Sequence, residues 1–155
     1  MTRDTYHRAR AALTLWDAEK GGLWPDSRDP EFQNYLFQSG VTPQDYEKAA
    51  VCHICALLST GQPYAVSAAL ALVVMNRTEE DASPYQTAAE MLHPTTALPD
   101  NLDALDRLLH NVEALFNREL YDPTNGSTTF TDIRDLSPGA ISTPSRVSIG
   151  NFLFT

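Results

Sequence analysis

The sequence predicts a mainly α domain of the α+β class, a helical body with a small C-terminal β annex. Up to Tyr121 the chain carries successive stretches with apolar residues at helical spacing. Helix-start and helix-stop residues separate those stretches. After Tyr121 the pattern changes, and Thr, Val, Ile and Phe alternate between turn residues.

The first helix is predicted over Asp4 to Lys20, with Tyr6, Ala9, Leu13 and Trp16 on one face and the pair Gly21, Gly22 as its stop. "LWPDSRDPEFQNYLFQSG" mixes turn residues with aromatics and predicts a loop holding one short helix around Glu31 to Phe37. "TPQD" then starts a helix, with Thr42 as N-cap, Pro43 at the first helical position and Asp45 in the first turn. That helix runs to about Leu58. "STGQP" breaks it, Gly61 suiting a left-handed C-cap and Pro63 opening the next helix.

The helix from Tyr64 to Arg77 is apolar almost all round, which predicts a central, buried position. Asn76 and Arg77 close it where a cation favours the C-terminal dipole and Asn tolerates cap geometry. A short helix follows over Pro84 to Leu92, then "HPTTALPD" as a linker, then an amphipathic helix over Asn101 to Leu120. "DPTNGSTTFTD" and "SRVSIGNFLFT" predict two short strands separated by the "RDLSPGAISTP" loop. At 155 residues one domain, 1–155, is expected.

Acidic residues outnumber basic ones 20 to 11, a formal charge of −9, and the basic residues form no stripe. A nucleic-acid backbone would repel this chain, so no nucleic-acid partner is expected. No segment has the unbroken apolar length of a membrane span, and the charged first twenty residues lack a secretory signal. The expectation is a chain cytoplasmic at synthesis, reaching any cell-wall target within a virion or by release on lysis.

Cys52 and Cys55 in "VCHIC" would sit inside a helix, with His53 between them. Zinc needs four ligands and no second Cys pair exists, so two small buried hydrophobes are expected, with no metal and no cofactor. His7, His93 and His110 lie in unrelated segments and group with no Ser or Cys into a nucleophile, base and orienter set. Asp122 and Thr124 open "DPTNG", an Asx and Pro turn.

Three landmarks in order, "GQPYAVSAALALVVMNR" at 61–77, "DPTNGSTTF" at 122–130 and "SIGNFLF" at 148–154, resemble the SleB-type cell wall hydrolase family. The resemblance covers about residues 46–155 and leaves 1–45 as an N-terminal helix and loop extension. It implies a lysozyme-like fold and cleavage of peptidoglycan glycan strands by a carboxylic acid that protonates the leaving oxygen. The family's acid lies three residues before the turn glycine, where this chain has Leu58.

Leucine cannot donate a proton. The His of the family's "ATHF" element is here Thr129, the second turn carboxylate is the amide Gln62, and the aromatic segment after the short helix is replaced by the "HPTTALPD" linker. Scaffold positions Asn76, Arg77, Asp122, Pro123, Gly126, Gly150 and Asn151 are kept.

The resemblance therefore implies a degenerate member, non-catalytic, acting as a structural or partner-binding component, for instance of a phage or phage-like particle. Its partner would be a protein or a peptidoglycan glycan strand, met through Gln62, Tyr64, Asn76, Asp122, Thr124 and Thr129. The alternative is an active glycan hydrolase or lytic transglycosylase with a relocated acid. Glu90 on the short helix, or Asp26, Asp29 or Glu31 in the N-terminal insert, would supply it. Glu47 lies eleven residues before Leu58, ~16 Å along a helix, and fits poorly; Glu79, Glu80 and Asp81 read as a solvated run. His53 and Tyr64 could face the cleft, but each reads first as a core or rim residue.

Overall fold

A computed structural model describes residues 1–22, 25–79, 82–92, 104–132 and 147–155. It is mainly helical with a small antiparallel sheet at the C-terminus, as the sequence predicts. In chain order the elements are α1 (Arg3–Lys20), α2 (Pro30–Gln38), α3 (Pro43–Leu58), α4 (Tyr64–Arg77), α5 (Pro84–Leu92), α6 (Leu105–Phe116), β1 (Phe130–Asp132), β2 (Val147–Ile149) and β3 (Phe152–Phe154). The "HPTTALPD" linker, the "RDLSPGAISTP" loop, Glu80, Asp81 and His93 lie outside the described residues.

Local chemistry sets most helix ends. Thr2 and Thr42 accept from the N–H groups of Thr5 and Asp45, closing the N-termini of α1 and α3. Gly21, at φ 73°, donates to Asp17 O and ends α1. The break after α3 departs from expectation. Gly61 does take a left-handed φ of 79°, but the C-cap is Ser59, whose hydroxyl turns back to Cys55 O at 2.7 Å.

The C-terminal end of α6 differs too: the helix expected over Asn101 to Leu120 stops at Phe116, while Asn101 to Asp103 lie outside the described residues. Arg118 N–H donates to Leu115 O and Glu119 N–H to Ala114 O, the paired bonds of a Schellman stop. The left-handed residue there is Arg118, at φ 58°. Glycine is the usual occupant, and a side chain costs about 1–2 kcal/mol in that conformation.

The sheet has three strands where two were expected, in the order β1-β3-β2. "SIGNFLF" is not one strand but a hairpin turned at Gly150, φ 57°, with Val147 opposite Phe154. Phe130 faces Phe154 from the other side, and Phe152, Leu153 and Phe154 of the central strand are all buried.

α3 is the hub. It packs against α1, α2, α4, α5 and α6, and its residues from Lys48 to Ala56 are buried without interruption. An aromatic chain ties the outer helices to it: Trp16 of α1 meets Phe32 of α2, Phe32 meets Tyr46 of α3, and Tyr46 meets Tyr85 of α5, at centroid distances of 5.4, 4.8 and 5.4 Å. Lys48, buried on α3, places its Nζ 2.8 Å from both carboxylate oxygens of Glu113 on α6. Removing Glu113 would leave that ammonium without its counter-ion.

His53 is fully buried in the α1–α3 contact, its Nδ1 joined to the Tyr6 hydroxyl by a 3.0 Å hydrogen bond and its ring stacked on Tyr6. It therefore does not face a cleft. Burial, aided by the charge of Arg10, pushes its pKa down to about 4 from 6.5. The folded state holds it neutral while the unfolded chain protonates it, so this part of the stability is lost as pH falls from 6.5 toward 4.

The carboxylates held below their usual range, Asp26, Glu113 and Asp122, lose their contribution only in a lower window, as pH passes beneath ordinary carboxylate values. Urea unfolding is thus expected to weaken by roughly 2–3 kcal/mol between pH 7 and 4.5. His53→Gln should flatten that slope. An equal loss in the variant would place the titrating group elsewhere.

Candidate functional site

The residues that the resemblance singles out are arranged along α4, and they fall into two groups at its ends. Tyr64 opens the helix and Asn76 lies twelve residues later, ~18 Å along the axis.

At the N-terminal end, Leu58 closes α3 with its side chain partly at the surface, 38% exposed. Gln62 and Val66 form the seat of the β2–β3 turn. A methyl group at Gly150 would fall 2.5 Å from Val66 Cγ2 and 2.9 Å from Gln62 Oε1, so the turn lies directly against the start of α4. The Tyr64 hydroxyl accepts from Asn111 Nδ2 at 3.0 Å, and the Arg107 guanidinium stands 5.7 Å from the Tyr64 ring. Both partners come from α6. Thr129 immediately precedes β1, where its backbone exchanges hydrogen bonds with Thr155.

At the C-terminal end, Asn76 does not cap its own helix. Its Nδ2 reaches out to Asp122 Oδ2 at 2.9 Å and to Ser127 O at 3.2 Å. Asp122 also accepts from Thr124 N–H at 2.8 Å, the Thr124 hydroxyl at 2.5 Å and Gly126 N–H at 3.0 Å. Burial by itself would raise this carboxyl, but the hydrogen bonds from Thr124, Asn76 and Gly126 outweigh it and hold it below the usual carboxylate range. Thr124 is fully buried. The "DPTNG" turn is thus an Asx-type turn, as its residues suggest, docked onto α4 by one amide.

The alternative acids are scattered. Glu90 is exposed on α5, Asp29 caps α2 by accepting from Glu31 N–H, and Glu31 pairs with Lys20 at 3.1 Å. Asp26 is engaged by Arg28 and by Gln86 Nε2, the latter at 2.7 Å. None of these contacts involves Leu58 or Tyr64.

The structure assembles one polar cluster that sequence reasoning missed. Glu47 Oε1 accepts from the hydroxyls of Ser27 at 2.7 Å and Ser83 at 2.6 Å, while Asp26 meets Gln86 alongside. Above them the Tyr46 hydroxyl donates to Pro25 O at 3.0 Å. The members come from the loop before α2, from α3 and from the start of α5, and no local pattern links them. The cluster ties that loop to the helical body.

Comparison of the chain with protein-family models, with curated proteins and with solved structures finds no match. The likeness to SleB-type hydrolases rests on the three landmark segments alone.

Among the described residues, no group of three or more His, Cys, Asp or Glu side chains could hold a metal ion, and no helix is long and apolar enough to cross a membrane. Cys52 and Cys55 are fully buried thiols, and burial pushes Cys52 up to about 12 and Cys55 well above its ordinary value. Thiolate chemistry is suppressed at both.

Gly150 offers a direct check of this geometry. Gly150→Ala adds a side chain at a left-handed φ and drives it into Val66, whereas Gly126→Ala, at φ 76° with nothing within 4 Å, meets the strain alone. Thermal or urea unfolding should register roughly 1–3 kcal/mol more destabilisation for the first than for the second. Equal losses would mean that the β2–β3 turn does not rest on α4.

Proposed function

We propose that this chain is a degenerate cell-wall-hydrolase-like domain that works without catalysis, as a structural or partner-binding component of a larger assembly. One observation carries the reading: the positions that the resemblance would make a cleft are engaged in holding the fold. Tyr64 is engaged by Asn111, Asn76 and Asp122 by each other, and Thr129 by Thr155, while Thr124 is buried. The acid position is Leu58.

Electrostatics support the same reading. A general acid for glycoside cleavage needs a carboxyl held protonated near neutral pH. Among the described residues, the carboxylates that their surroundings shift, Asp26, Glu113 and Asp122, are all shifted the other way. The net charge of −9 favours a partner with a basic or neutral face.

Purified peptidoglycan distinguishes the readings. Incubation with the full chain should leave turbidity unchanged and release no glycan fragments, and a pulldown on the same material identifies the partner class. Retention on the sacculus would make the glycan strand the partner; its absence would direct attention to a protein. Fragment release abolished by Glu90→Gln or Asp26→Asn would instead establish an active hydrolase with a relocated acid.

A further inference from the structure

A depression of about 640 Å³ opens at the C-terminal end of α4, away from the α3–α4 turn. Met75, Pro84 and Phe116 give it apolar walls, and Asn76, Glu79 and Arg118 give it polar ones. Its volume falls in the range of small-molecule sites.

Two features of its lining suit a ligand. Arg118 holds the left-handed position of the α6 stop, where glycine is the ordinary choice, and its side chain is put to use. Its Nη2 donates to Met75 O at 3.1 Å, so the guanidinium is held against the C-terminal dipole of α4. A guanidinium has five N–H donors, and this bond takes one of them.

The second feature is charge. Arg3, Arg8, Lys20, Arg28 and Lys48 each pair with a carboxylate, whereas Arg77, Arg107 and Arg118 form no ion pair among the described residues, and of these three only Arg118 lines the depression. Arg118 and Glu79, which line the same depression, form no ion pair among the described residues. A simple anion would meet Glu79, the α4 carbonyl end and the chain's negative field, and a simple cation would meet Arg118. A ligand carrying both charges satisfies both walls.

We propose that this depression binds a small apolar zwitterion with the chemistry of a free amino acid or dipeptide. Arg118 takes its carboxylate, Glu79 its ammonium, and Phe116 and Met75 receive its apolar side chain. The bond to Met75 O orients Arg118 toward the depression before the ligand arrives, which lowers the ordering cost of binding. The proposal does not depend on reading the chain as a degenerate hydrolase.

Calorimetric titration of the full chain with the dipeptide leucyl-phenylalanine, its N-acetyl form and its C-terminal amide tests this. The zwitterion should bind about tenfold or more tighter than either blocked form. Glu79→Gln, a surface change, should erase the preference for the free amine. Arg118→Gly, which relieves the left-handed strain, should fold at least as stably and erase the preference for the free carboxylate. Equal affinity for the three compounds, no saturable binding at millimolar concentration, or binding indifferent to both substitutions would overturn the proposal.

Discussion

Two adjacent helices whose central stretches have no solvent-facing side impose the constraint on which the structure depends. α3 is buried without interruption from Lys48 to Ala56, and α4 is buried at Val66, Ser67 and from Ala69 to Met75. Neither of these stretches can sit at a surface, so each must be covered on every side. The remaining elements do this: α1, α2, α5 and α6 enclose α3, while α5, α6 and the sheet close around α4. Complete cover explains the chemistry of the interior. Cys52 and Cys55 become inert, His53 is kept neutral, and Lys48 is tolerated on the hub only because Glu113 meets it with both oxygens.

Cover also requires the irregular segments to dock, and α4 provides the seats. Its N-terminal residues take the β2–β3 turn through the space that Gly150 leaves, and its C-terminal Asn76 takes the 122–127 turn through Asp122. Landmarks far apart in sequence are thus parts of one packing arrangement around a single helix. That arrangement needs a glycine, an amide and a turn carboxylate at fixed places, and it makes no demand on position 58, whose side chain lies partly at the surface.

Much of this was legible in the sequence because it is written locally. The Thr42-Pro43 start, the Gly21 stop, the limits of α4 and the burial of its all-apolar surface follow from neighbours within a turn or two. The hairpin inside "SIGNFLF" was not, because Gly150 and Asn151 sit in an apolar run that reads as a single strand. The end of α6 was missed because Arg118 replaces the glycine that would have marked it. The Glu47 cluster joins residues 20 and 36 positions apart, and Asn76 reaches across 46 to Asp122. Contacts of that span leave no periodicity, so the role of Asn76 as a tie rather than a cap emerges only in three dimensions.

On the proposed reading, the same separation explains how an acid can disappear while its scaffold persists. A carboxyl kept protonated in an apolar cleft is costly to the folded state, since such a group would be better solvated in the unfolded chain. Replacing it by leucine at the end of α3 removes that cost. The Ser59 cap and the left-handed Gly61 then still turn the chain into α4, because neither uses the side chain at position 58. Gln62, Tyr64 and Asn76 remain constrained, since each packs against or bonds a second element. On that reading catalysis and packing would rest on different side chains of one turn, and the packing contacts of Gly150, Tyr64 and Asn76 are enough to hold the landmarks in place without an acid at position 58.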